Sequence, residues 1–224
     1  MSTATAPSPE APGADALHAR LRRDGERFPE PTRVRLHRAI SWLRRAEQEA
    51  SDDDARFIFL WVAFNAAYAR EVAPEETERT RFSGFFDLLV QLDTERRLHA
   101  LLFQQFTGPI RTLVDNRFVF EPFWKALREH DAHSDWEQRF ANGRKAALAA
   151  VMAGDTAKVL GIVFDRLYVL RNQLLHGGAT WNSGVNRAQV ADGARILAAL
   201  VPATLALMLE HPDAPYGDIM YPVL

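Results

Sequence analysis

The chain contains no cysteine. That removes disulfides, thiolate metal sites and a thiol nucleophile, and makes a cytoplasmic location the expectation. No stretch alternates apolar and polar residues between hairpin turns, so strands are not expected, and no internal repeat is visible. The opening residues, MSTATAPSPEAPGADA, lack a basic segment followed by an apolar one and do not read as a secretory signal. The longest nearly apolar run, 196–209, is interrupted by Pro202 and Thr204. It is too short for a membrane span and reads as a buried helix, so no membrane partner is expected. There is no GxxxxGKS/T, no GxGxxG after a strand and no GxSxG, which leaves nucleotide hydrolysis, dinucleotide binding and esterase chemistry without support. A large charge of either sign is also missing. A net charge of -2 and a pI near 6.4 do not suit a protein that coats nucleic acid. They leave room for a local basic site.

What is present is an ordinary globular composition, 47% hydrophobic and 25% charged, on 224 residues, enough for one domain with a sizeable core. Residues 1–16 are rich in Ala, Pro, Ser and Thr and read as a disordered tail, leaving 17–224 as a single helical domain. A helical turn or two is expected over 17–27. Thr32 is placed to cap a helix through about Ala50, with Val34, Leu36, Ile40, Trp42, Leu43 and Ala46 apolar. Its arginines 33, 35, 38, 44 and 45 read as a solvated face, with a basic wall for a phosphate backbone as the alternative. SDDDA at 51–55 is a helix start with acids at the positive end of the dipole. The helix that follows to Glu71 is apolar nearly all round and belongs at the centre of a core, with Asn65 making a structural hydrogen bond to a neighbour.

Residues 75–152 hold several shorter helical segments. Their aromatic group Phe118, Phe120, Phe123 and Trp124 reads as core or dimer contacts in preference to a base-stacking platform. His130-Asp131-Ala132-His133-Ser134-Asp135 reads as a polar joint between helices; no metal and no other cofactor is expected. After Gly178 a loop of about nine residues leads to a last helix from Arg187 to His211, which Pro202 is expected to kink or split.

The stretch 155–178, DTAKVLGIVFDRLYVLRNQLLHGG, organises the rest. Asp155 can cap it, and the Gly177-Gly178 pair supplies the left-handed residue that ends a helix. Val159, Ile162, Val163, Leu167, Leu170 and Leu174 bury one broad face, and Arg171, Asn172 and His176 follow in the last turn. Chemically this is a usable set. An imidazole can take the proton from a ribose 2′-hydroxyl or give one to a 5′-leaving oxygen. A guanidinium fork suits the non-bridging oxygens of a phosphate whose charge builds up in the transition state. Attack by the adjacent 2′-hydroxyl needs no metal and yields a 2′,3′-cyclic phosphate and a 5′-hydroxyl. Five helical residues turn through roughly 140° net and rise about 7.5 Å, so Arg171 and His176 do not stack on one face. The competing reading is structural: Arg171 pairs with Asp165 or Glu47, and His176 caps carbonyls. In the loop, Arg187 is placed to add a phosphate contact and Trp181 to stack on a base, with Asn182 beside them. A plain surface loop with one anchoring Trp is the alternative.

RNQLLH near a helix end resembles the ribonuclease motif of the HEPN superfamily, an Arg followed after four to six residues by His, with Asn, Asp or His next to the Arg. RFIFLWVAFNAAYA is similar to the early core helix of one HEPN branch. The resemblance implies an all-α, HEPN-like helical bundle in which 75–152 is a helical insertion between the two halves of a four-helix core. It implies a metal-independent endoribonuclease acting on RNA, a homodimer whose two motifs line one cleft, catalytic roles for Arg171, Asn172 and His176, and a defence or toxin role with an antitoxin or regulatory protein as partner. Asn172 is then expected to orient the His or a phosphate oxygen. The alternative within the resemblance is a non-catalytic module that binds a nucleotide, RNA or protein. One departure stands out: the branch silenced by nucleotidylation carries a Tyr where this chain has Gly178.

Overall fold

The structure, a computed structural model, describes residues 11–69, 78–184 and 186–221. Among these it is all-helical, with ten α-helices and no strand: α1 (Ala14–Asp24), α2 (Glu30–Glu47), α3 (Asp53–Tyr68), α4 (Glu78–Leu92), α5 (Arg97–Ala100), α6 (Thr107–Asp115), α7 (Glu121–Arg128), α8 (Trp136–Ala153), α9 (Thr156–Leu175) and α10 (Arg187–Glu210). Helix α5 runs on into a π-helical turn, Leu101–Gln105. Residues 1–10 of the expected tail lie outside the described residues. The first helix starts at Ala14 instead of Leu17, because Ala14 and Leu17 are both buried against the bundle.

Helix α3 is the hub. Asp52 caps it, its side chain accepting the Ala55 N–H at 3.0 Å. Its apolar circumference is then divided among neighbours: α2 on one side, α10 on another, and α4 with α9 on the third. The last contact is aromatic. The Phe64 ring centroid lies 4.2 Å from that of Phe164 and 6.0 Å from that of Phe86, and the Trp61 centroid lies 6.0 Å from Phe164. Helix α4, at the start of the expected insertion, therefore lies in the core; α6, α7 and α8 wrap the outer side of α9 and of one another.

Four features correct the sequence reading. Of the kink or split expected at Pro202, the split does not occur: α10 runs unbroken from Arg187 to Glu210, and burial of this helix on nearly every side holds the turn that the missing N–H weakens. Its length and apolarity would suffice to cross a membrane, but 72% of the apolar window is buried inside the fold. Arg35 does not belong to a solvated face. It is 1% exposed and donates to the Ala67 carbonyl at 3.0 Å and the Gly217 carbonyl at 2.9 Å, tying the end of α3 to the C-terminal segment. On the same helix Trp42 is 40% exposed, while Leu36, Ile40, Leu43 and Ala46 are buried as expected and Thr32, Arg35 and Ala39 complete the buried stripe. Asn65, expected to bond to a neighbouring helix, buries its Oδ1 without a hydrogen-bond partner among the described residues.

Close packing of α3, α9 and α10 depends on one glycine. A Cβ on Gly193 would stand 2.8 Å from Phe57 Cε2 and 3.0 Å from Leu167 Cδ2. Both are fixed by the surrounding core, so the helices must part. Gly193→Ala is expected to destabilise the protein by up to about 2 kcal/mol in urea unfolding: overpacking costs about 1–3 kcal/mol, against the roughly 1 kcal/mol of helix propensity that Ala brings. A gain in stability would show that the three helices are not this tightly apposed.

Candidate functional site at the end of α9

Four helix termini meet at one end of the bundle: the C-termini of α2 and α9 and the N-termini of α3 and α10. Helix α9 reaches it as the sequence predicts. Asp155 accepts the Lys158 N–H at 3.1 Å, and Gly177 at φ +71° turns the chain so that the Gly178 N–H closes on the Gln173 carbonyl at 2.8 Å. This closure leaves His176 at the helix cap, its backbone N–H on the Asn172 carbonyl and its side chain exposed.

Arg171 is half-buried one turn earlier, and neither expected acid engages it. Glu47 Oε1 accepts the Ala14 N–H at 2.8 Å, and no carboxylate among the described residues pairs with the Arg171 guanidinium. Instead its Nη1 donates to Asn172 Oδ1 at 2.8 Å, its Cζ lies 5.6 Å from the Tyr168 ring centroid, and its Nε is buried without a partner. Asn172 thus orients Arg171 through its Oδ1, a contact beyond those expected of it from the sequence, to His176 or a phosphate oxygen. A cation held by an amide and an aromatic face, with no counter-charge, retains most of its capacity for an incoming phosphate.

The loop after α9 fits the plainer of its two expected readings, a surface loop anchored through Trp181. Arg187 forms a two-pronged pair with Asp54, Nη2 to Oδ1 at 2.6 Å and Nη1 to Oδ2 at 3.0 Å, and also donates to Asn182 Oδ1 at 3.2 Å. The Asn182 N–H adds a bond to Asp54 Oδ2 at 2.8 Å, with Asn182 itself left-handed at φ +54°. The Asp54 hydrogen bond and charge raise the Arg187 pKa above its usual value. Arg187 and Asn182 are therefore occupied in fastening the loop to α3; a phosphate contact by Arg187 would have to compete with a carboxylate that is only 6% exposed. Trp181 keeps the sequence assignment open. Its indole N–H donates to Asp52 Oδ2 at 2.9 Å while the residue remains 76% exposed, so the ring is presented to solvent on a fixed tether.

Gln173 carries no signal of a role in the sequence. Its Nε2 donates to the Phe118 carbonyl at 2.6 Å and its Oε1 accepts from Asn186 at 3.1 Å, joining the loop to the middle third of the chain. From the sequence alone, Asp52 and Asp54 read as helix-start acids. Three acids in a row exceed what one cap uses, and that surplus was the available signal. Of the two roles expected for the aromatic group, core or dimer contacts, the core role does not hold: the cluster is half-exposed, with Phe118 38% exposed and Arg117 5.0 Å from its ring centroid and 5.6 Å from that of Phe123. In the HDAHSD joint, Asp131 Oδ1 takes the His133 N–H at 2.9 Å, and no group of three or more His, Asp or Glu able to hold a metal ion forms among the described residues.

The tether of Trp181 is sensitive to acid. Asp52 is held below the usual carboxylate range, chiefly by the Ala55 N–H and then by the Trp181 indole. A depressed carboxyl contributes stability above its unfolded-state pKa and loses it as pH falls through the folded value. Lowering the pH below about 4 is expected to release Trp181, read as a change in emission present in wild type and missing in Trp181→Phe. Identical titrations of the two proteins would overturn the tether. Compared with protein-family models, with curated proteins and with solved structures, the chain matches none.

Proposed function

We propose that the protein is a metal-independent endoribonuclease of HEPN-like fold, cutting RNA through Arg171 and His176. The supporting observation is a half-buried arginine without a carboxylate partner among the described residues, aimed by Asn172 and Tyr168, one turn from an exposed histidine on the same helix end. In the reaction, O2′ loses its proton to a neutral imidazole and bonds to the adjacent phosphorus; the P–O5′ bond breaks, and O5′ takes a proton from a second, protonated imidazole. Water is not consumed. One protomer offers one His at this site, so a homodimer with both α9 ends on one cleft supplies the acid and the base together. A cytoplasmic location and a toxin or defence role, with an antitoxin or regulatory partner, belong to the same proposal.

The test is incubation of purified protein with mixed single-stranded and transfer RNA in EDTA, with analysis of the new ends. Cyclic phosphate and 5′-hydroxyl ends are expected. No cutting at any protein concentration would overturn catalysis and favour a second reading, a non-catalytic RNA- or protein-binding module. Exposed Leu175 (47%) and Trp181 beside the site give that reading its own support, since both suit a docked partner.

A further inference from the structure

Away from the α9 terminus, a cleft of about 550 Å³ opens between α7, α8 and α9. Lys125 from α7, Arg139 from α8, and Lys158 and Arg166 from α9 line it, with Glu121 and Asp165 as the acids among the described residues. Among those described residues, four cations against two acids leave +2 in a protein whose net charge is -2. Glu121 is already engaged by Arg128 at 2.7 Å. Lys125, Arg139 and Lys158 are exposed and form no ion pair among the described residues.

This arrangement is not the solvated face of one helix. Three helices each contribute a cation to a single concavity, and like charges brought together this way repel unless an anion joins them. The cleft is also kept open by its small residues. Gly143 and Ala146 face it from α8, and a Cβ on Gly143 would approach Arg166 Nη2 at 3.8 Å. Arg166 forms the floor. It is 5% exposed, its Cζ lies 4.5 Å from the Phe120 ring centroid and 5.5 Å from that of Phe140, and its Nη1 donates to the Val119 carbonyl at 3.4 Å. Tyr168 belongs to the wall of this cleft and also carries the Arg171 guanidinium. Cleft and candidate catalytic arginine are therefore adjoining surfaces of one helix.

We propose that this cleft binds backbone phosphates of the RNA strand, holding it by Lys125, Arg139 and Lys158 while the scissile phosphate lies at Arg171. The occupant rests on the ribonuclease reading; the basic cleft does not. The groups that the cleft presents to solvent are the Lys125, Arg139 and Lys158 cations, while Arg166 covers one face of Phe120 and Arg171 one face of Tyr168. The contact is thus to phosphate, independent of sequence and strongly dependent on salt.

The experiment measures binding of a labelled, 2′-O-methylated RNA, which cannot be cut, to wild type, to the triple variant Lys125→Ala/Arg139→Ala/Lys158→Ala, and to Arg171→Ala/His176→Ala, over a salt series. Because the three cations are exposed, the triple variant is expected to keep the wild-type melting temperature. It should bind about tenfold or more weakly, with the log–log salt slope shallower by about 2, at roughly 0.7 per lost phosphate contact. Lys158→Glu alone should weaken binding in the same direction. Unchanged affinity and slope in the triple variant would overturn the proposal. Displacement of bound RNA only by millimolar tripolyphosphate fits it, whereas cation-dependent binding of tripolyphosphate with no binding of RNA would overturn the strand as occupant. Loss of RNA binding in the triple variant, alongside a wild type that cuts nothing, would leave the cleft standing and remove the ribonuclease reading instead.

Discussion

His176→Ala is expected to slow RNA cleavage by about 10²–10⁴-fold, the usual contribution of a positioned general acid or base. The histidine is exposed and its ring has no protein partner among the described residues, so its removal should leave folding untouched. Arg171→Ala is expected to cost about 10²–10³-fold, as for loss of a donor to developing transition-state charge. Arg171→Lys should recover little of this, because Asn172 and Tyr168 aim a planar fork that an ammonium does not reproduce. Single-turnover cleavage with the protein in saturating excess over RNA is the measurement, since it separates chemistry from binding. A His176→Ala protein that cuts at the wild-type rate would remove this histidine from the chemistry and with it the proposed mechanism. Asn172→Ala tests the positioning role: the rate should fall in parallel with Arg171→Ala, though less steeply, while binding of uncuttable RNA stays near wild type.

Much of this architecture was legible in the sequence because helices announce themselves through short-range signals. The caps of α3 and α9, the glycine stop at Gly177 and the apolar circumference of α3 are all local, and each stands where the residues imply. What stayed hidden depends on partners distant in sequence. Arg35 looks like one of five surface arginines until the Gly217 carbonyl, 182 residues away, arrives to receive it. Pro202 is a helix breaker by propensity, and only burial from every side overrides that. The candidate site divides in the same manner. Placement of Arg171 and His176 at a helix end follows from periodicity and the glycine pair. The freedom of Arg171 from Glu47 and Asp165, and the capture of Arg187 by Asp54, are tertiary facts that spacing does not encode. The resemblance to HEPN ribonucleases rests on RNQLLH and the α3 sequence, and the proposed chemistry stands or falls with the two α9 side chains themselves.

The Arg187–Asp54 pair gives the second large effect, and it separates two roles for one residue. Arg187 retains 31% of its side-chain exposure and Asp54 only 9%, so deleting the cation strands a nearly buried carboxylate whose remaining protein donor is the Asn182 N–H. Breaking a fully buried pair costs about 3–5 kcal/mol; with Arg187 partly in solvent, about 2–3 kcal/mol is expected for Arg187→Ala in urea unfolding. Asp54→Asn should cost less, because the amide oxygen can still accept from Asn182 and the lost charge no longer needs a partner. The double variant should be less destabilised than the sum of the singles, which is the signature of a direct pair. Cleavage should then fall in both variants as the loop carrying Trp181 loosens beside His176. Had Arg187 been a phosphate ligand, its removal would leave stability within about 0.5 kcal/mol of wild type while weakening RNA binding and flattening its salt dependence. Stability and salt slope therefore move in opposite patterns for the two roles, and the bidentate geometry onto a buried acid assigns Arg187 to the first.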